Sequence, residues 1–354
     1  MRFGTRGVFY IVKLNGTAMF LRGNLLYRLV ASILGNERSD YILRSLAVEP
    51  RLLVNGVMAS RAQIGMALNA ILFLKLLERV PAAAEYVARS NRDGHIIRFD
   101  HGALRTIDGF AGAMPSGIAS FARILEPLGY EPAGTYPLPK LKMTGRAYVH
   151  RDFAESVPQF FVSELYVSQL PEAARMAAMR VFGNSVDPLG ELERDALGLL
   201  ARGGHCPLEL AVAALPGLVG TFGRNHSTPA LVDYEMLLAH SPEAAWIATE
   251  GNAFNHATDR VPDVMALAAE LQERGMPLNP QVEVSANGRV RQTAFLADKV
   301  LRQFRLGDGS LIEREVPGSF YEFISRDIDP ATGRIDLSFD SGNATGIFAV
   351  TSAQ

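Results

Sequence analysis

The stretch GHIIRFDHGALRTID (94–108) reads as a β-strand, and PSGIASFARILEPLG (115–129) after it reads as a helix opened by Pro115 and stopped by Gly129. Three short runs rich in aromatic and β-branched residues come next: YEPAGTY (130–136), PKLKMTGRAYVHR (139–151) and VPQFFVSELYVS (157–168). The order is β-α-β-β-β. It returns further along the chain. AWIATEGNAFNHATDRV (245–261) reads as a strand and VPDVMALAAELQERG (261–275) as a helix opened by Pro262 and closed by Gly275. QVEVSANGRVRQTAF (281–295), SLIEREV (310–316) and GSFYEFISRD (318–327) read as the last three strands. Two such modules side by side predict an α+β fold with one curved, mostly antiparallel sheet around a cleft.

Helical text surrounds the modules. MFLRGNLLYRLVASILG (19–35) and SRAQIGMALNAILFLKLLERV (60–80) carry apolar residues at spacings of three and four, with Ser60 as an N-cap. Four more apolar-striped runs between 170 and 247 predict a helical insertion. The expected organisation is an N-terminal extension and helical segment (1–92), the first module (93–169), the insertion (170–247), and the second module with a C-terminal tail (248–354). Residues 1–18 read as a loosely attached extension or as the result of a start codon placed too early.

Composition narrows the function. The chain has 354 residues, a formal charge of −2, 48% hydrophobic and 20% charged residues, so it has material for a large core. Its near-zero charge, without a long basic run, argues against a nucleic-acid partner. No continuous apolar run of about 20 residues is present, so no membrane span is expected. Cys206, the single cysteine, excludes a disulfide framework and a cysteine zinc cluster, and fits a reducing, cytoplasmic setting. GxSxG, GxxxxGK[ST] and HExxH motifs are absent.

The chemistry rests on three residues. His101 and His256 lie in the first strand of each module, and Glu322 lies in the last strand of the second. If the modules pack as pseudo-symmetric halves, two imidazoles and a carboxylate converge, a set that leaves three positions open on a metal such as Fe(II). Zinc with a bound water fits the same ligands. A single strand histidine is more often a structural group than a ligand, and His95, His150, His205 and His240 read that way. His226, in RNHSTP, is the strongest rival, but Ser227 or Thr228 as a cap and Pro229 at N1 favour a role at a helix start. Glu164, in the last strand of the first module, reads as a further ligand, a supporting group or an ordinary strand residue.

DHGALRT (100–106), FNHATDR (254–260) and YEFISR (321–326) place His256 155 residues after His101 and Glu322 another 66 on. In this spacing the chain resembles the 2-oxoadipate dioxygenase/decarboxylase family, a branch of the vicinal-oxygen-chelate superfamily. EFISR and GNATGIF (342–348) also resemble the Glu-x-Ile-x-Arg and Gly-Asn-x-x-x-Leu-Phe patterns of 4-hydroxyphenylpyruvate dioxygenases. The resemblance implies Fe(II) on His101, His256 and Glu322, with Arg105 gripping a substrate carboxylate. It also implies conversion of a 2-oxo diacid and O₂, most directly 2-oxoadipate to 2-hydroxyglutarate and CO₂ in lysine catabolism. Strand geometry agrees, because residues i and i+4 share a face about 13 Å apart at ~3.3 Å per residue. Arg105 can thus reach the far end of a diacid chelated near His101. Arg326 repeats this offset from Glu322 and is a second carboxylate-binding candidate, while Gln292 is expected to face the cleft as a hydrogen-bond partner. A glyoxalase-like metal isomerase or lyase, and a non-catalytic small-molecule binding protein, stay open as alternatives.

Overall fold

The structure, a computed structural model, describes residues 12–14, 17–19 and 22–340. GNATGIF and most of the N-terminal extension lie outside the described residues. Eight strands form one curled sheet: β1 (Phe99–Asp108), β2 (Tyr130–Leu138), β3 (Met143–His150), β4 (Gln159–Tyr166), β5 (Phe254–Arg260), β6 (Glu283–Val284), β7 (Val290–Ala294) and β8 (Phe320–Arg326). Their order is β6-β7-β8-β5-β1-β4-β3-β2. In each module the last strand runs parallel beside the first, β4 on β1 and β8 on β5. The modules join through the antiparallel β1–β5 pair at the centre. The repeated β-α-β-β-β order is therefore real, and it builds one sheet.

Ten helices accompany the sheet among the described residues: α1 (Leu25–Ser45), α2 (Arg61–Leu77), α3 (Pro81–Arg92), α4 (Ala119–Leu125), α5 (Glu172–Phe182), α6 (Glu191–Gly203), α7 (Leu208–Thr221), α8 (Leu231–His240), α9 (Pro242–Glu250) and α10 (Val264–Glu273). Helix α2 starts as its sequence predicts. Ser60 Oγ accepts from the Gln63 N–H at 3.2 Å, and the Gln63 side chain accepts from the Ser60 N–H at 2.9 Å. Fifteen of its residues are buried, so it acts as a core element with no solvent face to pattern. Phe73 of α2 and Tyr86 of α3 pack on Phe99, Tyr321 and Phe323, which fill the sheet face turned away from the site. Tyr86 Oη also donates to the buried Asp259 carboxylate at 3.0 Å.

The structure corrects four readings. AWIATE is the end of α9, because Ser241 caps that helix, Pro242 occupies its first turn and Gly251, at φ +65°, ends it. The strand begins only at Phe254. SLIEREV lies outside the main sheet, pairing with Lys299–Arg305 in a separate hairpin inserted between β7 and β8. QVEVSANGRVRQTAF supplies two strands rather than one, since Asn287-Gly288 turns the chain between β6 and β7, with Gly288 at φ +73°. Helix α8 starts at Leu231 without a side-chain cap, so Ser227 and Thr228 do not cap it.

The hairpin, α5, α8 and α9 enclose a second core around Ile107, Leu165, Phe182, Trp246, Phe304 and Val316. This core presses α9 against β1 beside the site. No helix among the described residues is long and apolar enough to cross a membrane.

Gly102, on β1 next to His101, leaves room for the Phe254 ring: a Cβ there would lie 2.2 Å from it. Gly102→Ala should therefore destabilise the fold by about 1–3 kcal/mol or more, the usual range for overpacking. Denaturant unfolding with an unchanged slope would show this.

Candidate metal centre

Backbone irregularity aims the ligands. Along the β1–β5 pair, His101 faces Thr258, Gly102 faces Ala257 and Ala103 faces His256. The register slips by one residue at each end of this run, at Asp100 on β1 and at Asn255 on β5. Each is the extra residue of a β-bulge, and each directly precedes a histidine. A bulge bends its strand and re-aims side chains, so these two residues can turn towards the rings that follow them. Asp100 Oδ2 lies 2.9 Å from His101 Nδ1, and the Asn255 amide lies 3.2 Å from His256 Nδ1.

The two histidines meet Glu322 of β8, which stands opposite Thr258 in the register. One donor atom from each of the three residues falls in a cluster spanning no more than 4.8 Å, and all three side chains are buried. Glu322 Oε2 is 3.4 Å from His101 Nε2 and 3.3 Å from His256 Nε2. Ligands on adjacent corners of an octahedron, each about 2.1 Å from the ion, stand roughly 3 Å apart, so this spacing fits a metal held on one face. Thr258 Oγ1 donates to the same carboxylate oxygen at 2.5 Å. The atom in that contact is Nδ2, and Asn255 Oδ1 is buried without a hydrogen bond. Turned to His256 Nδ1 it accepts the ring proton and frees the Nε2 lone pair for a metal.

Electrostatics favour a cation here. Burial pushes the Glu322 carboxyl up, but the two imidazoles outweigh it and hold the group well below the usual carboxylate range. Burial likewise opposes ionisation of Asp100, and the Arg326 guanidinium together with His101 brings it well below its ordinary value. His101 is raised despite burial, because Asp100 and Glu322 flank it; His256 is lowered by burial. Of the two rings, His101 is thus the one whose surroundings favour the protonated form, with which a metal has to compete.

The triad opens on a cavity also lined by Ala103, Leu104, Arg105, Phe161, Gln292 and Phe339. Arg105 and Gln292 both line it, and Gln292 Nε2 donates to the Glu283 carboxylate at 3.4 Å. Arg326 does not line it. Its fork clasps Asp100 at 3.0 Å from both Nε and Nη2, its Nη1 donates to the carbonyls of Asp336 and Ser338, and its side chain is fully buried. The assignment of Arg326 to a substrate carboxylate is corrected accordingly: it stands behind His101, fixing the group that orients that ring. Glu164 accepts from the Ile118 N–H at 2.7 Å, next to the start of α4, and lies outside the triad. His226 Nε2 donates to the Ala248 carbonyl at 3.0 Å, tying down α9.

The sequence reading missed Phe339, Glu243 and Trp246. Phe339 follows the last strand of the module, and its ring stands 4.8 Å from both His101 and Phe161. Glu243 and Trp246 were hidden by the mistaken strand, although the Ser241-Pro242 start signal was present. The Arg105 guanidinium lies 2.6 Å from Glu243 and 4.8 Å from the Trp246 ring.

The sequence model of the 2-oxoadipate dioxygenase/decarboxylase family matches residues 73–335. The chain belongs to that family. A rice member, 2-oxoadipate dioxygenase/decarboxylase, chloroplastic/amyloplastic, is 26% identical over 290 residues, covering 73% of this chain and 71% of its own. Among solved structures, a glyoxalase-superfamily protein of Ralstonia eutropha JMP134 is 46% identical, covers 90% of this chain and 99% of its own, and superposes with a TM-score of 0.84. The rice hydroxyglutarate synthase in complex with 2-oxoadipate shares the fold at 24% identity and a TM-score of 0.64, over 82% of this chain and 93% of its own. The family match and these folds agree with a vicinal-oxygen-chelate architecture built from paired modules.

Asp100→Asn should weaken metal binding about 10- to 100-fold, the usual cost of losing a carboxylate behind a ligating histidine. It should also lower the unfolding midpoint, because the buried Arg326 loses its counter-charge. Metal titration followed by fluorescence or calorimetry checks the first, and a thermal scan the second. In the unsubstituted protein, metal affinity should rise with pH until the raised pKa of His101 is passed.

Proposed function

We propose that this chain is an Fe(II)-dependent dioxygenase/decarboxylase of a 2-oxo diacid. 2-Oxoadipate is the foremost substrate, converted with O₂ to 2-hydroxyglutarate and CO₂ in lysine catabolism. The observation that carries the reading is the buried His101, His256 and Glu322 cluster, on a cavity that also presents Arg105, in a chain of this family. Two imidazoles and one carboxylate with open positions are the donor set of non-haem Fe(II) oxygenases. When bound there, Fe(II) supplies a chelation point for the 2-oxo acid end of the substrate and the redox chemistry that O₂ requires.

The protein's own residues do the rest. Asp100 and Asn255 orient the two rings, and Thr258 steadies the carboxylate. Arg105 offers a planar fork to the distal carboxylate. Ala103, Leu104, Phe161 and Phe339 wall the space between with apolar surface, which suits methylene groups and excludes water. Gln292 offers a neutral hydrogen bond at the rim. The balance closes with 2-oxoadipate and O₂ on one side, and 2-hydroxyglutarate and CO₂ on the other.

An oxygen electrode with a panel of 2-oxo acids tests this. The Fe(II)-reconstituted protein should consume one O₂ and release one CO₂ per 2-oxoadipate, and the zinc form should do neither. Turnover that needs no O₂, or activity with zinc alone, would replace the oxygenase with a glyoxalase-like isomerase or a hydrolase. Arg105→Ala should keep the metal yet lose 2-oxoadipate affinity about 30-fold or more, since truncating one partner of a buried charge pair typically costs about 2–5 kcal/mol. The loss is compounded because Glu243 is then left without its cation.

A further inference from the structure

Arg105 is the cavity's basic group, and it already has a resident anion. Its side chain is 1% exposed, and Nη1 lies 2.6 Å from Glu243 Oε2, itself 2% exposed. The guanidinium also rests 4.8 Å over the Trp246 ring, and Trp246 is pinned by donating from its indole nitrogen to the Gly318 carbonyl at 3.0 Å. Both residues stand on α9 and neither lines the cavity. Glu243 therefore approaches Arg105 from outside the cavity that Arg105 itself lines.

The charge count follows. A buried guanidinium with no resident carboxylate would need an anion from the substrate, and any ligand lacking one would leave a cation buried without compensation. With Glu243 in place, the Arg105 cation already faces a carboxylate before substrate arrives. A 2-oxo acid with an uncharged tail can then settle against Ala103, Leu104, Phe161 and Phe339 and leave the ion pair intact. A diacid instead brings a second carboxylate to one cation. Five N–H donors accommodate two carboxylates geometrically, but a single positive charge balances only one of them.

We propose that Glu243 is a specificity-determining residue acting through Arg105, and that by countering the Arg105 charge it admits 2-oxo monoacids of about six carbons beside 2-oxo diacids. This rests on the triad holding a metal that chelates the 2-oxo acid end. Glu243 is a positioning residue, and its effect on affinity has a sign that a merely structural prop would not give. Removing its charge while keeping its shape strengthens Arg105 as an anion receptor.

Anaerobic calorimetry on the metal-loaded protein compares 2-oxoadipate with 2-oxohexanoate, which has the same carbon count and no distal carboxylate. The unsubstituted protein should bind the two within about tenfold of each other. Glu243→Gln should tighten 2-oxoadipate binding about tenfold or more, and move 2-oxohexanoate by less than about twofold. A preference for the diacid above about a hundredfold in the unsubstituted protein would overturn the proposal, as would a Glu243→Gln variant that weakens both ligands alike. Should that variant not fold, the ratio in the unsubstituted protein decides alone. If neither 2-oxo acid binds and none supports O₂ uptake, the dioxygenase reading falls together with this inference. Diacid turnover with steep diacid selectivity would sink the inference alone.

Discussion

The antiparallel pairing of β1 with β5 is the constraint on which everything else depends. Among the described residues it is where the two modules exchange backbone hydrogen bonds, and both histidines sit on it. A strand pair in perfect register would send Asp100 and Asn255 to the face opposite His101 and His256, into the aromatic layer against α2 and α3. The two one-residue slips change that. Each histidine then has a polar neighbour in sequence that is also its partner in space. A buried charge network follows from it, running from Arg326 through Asp100 and His101 to Glu322. Breaking such a network at one member leaves its neighbours uncompensated in a low-dielectric interior.

The two faces of the sheet divide the work. One face is closed by α2 and α3 through contacts among Phe73, Tyr86, Phe99, Tyr321 and Phe323, each aromatic pair adding about 0.5–1.5 kcal/mol beyond its buried area. The other face stays hollow at its centre. It is hollow because Ala103, Ala147 and Gly145 are small where they approach Phe161, and a Cβ on Gly145 would lie 2.4 Å from that ring. Rigidity on one side thus supports open space on the other, which is what a binding site built on strands requires.

Much of this was legible in the sequence because the module order is written in element types, and element types follow local periodicity. The three metal-ligand candidates and Arg105 were legible because their spacing and strand parity are one-dimensional facts. What escaped was decided in three dimensions. Arg326 has the same four-residue offset from Glu322 as Arg105 has from His101, but the bulge at Asp100 supplies a carboxylate that captures it. Glu243 and Trp246 were lost to a local error, in which the apolar text of a buried helix passed for a strand even though its cap was visible. Phe339 belongs to no regular element, and its ring reaches His101 only because Arg326 holds the preceding carbonyls and Tyr136 receives its backbone N–H at 3.1 Å.

The central strand pair also bears on how the molecule comes into being. His101 and His256 are 155 residues apart, with the whole helical insertion between them. Pairings of such long separation require closing a large loop before any contact repays its entropy, and they slow folding. Each module can zip its own strands earlier, through the nearer contacts of β2 with β3 and β6 with β7. The three donors converge only when the halves dock. A metal ion therefore cannot nucleate this fold as it does a small zinc finger, whose ligands lie within one short segment. An ion would have to load after folding, through the cavity onto which the donors open.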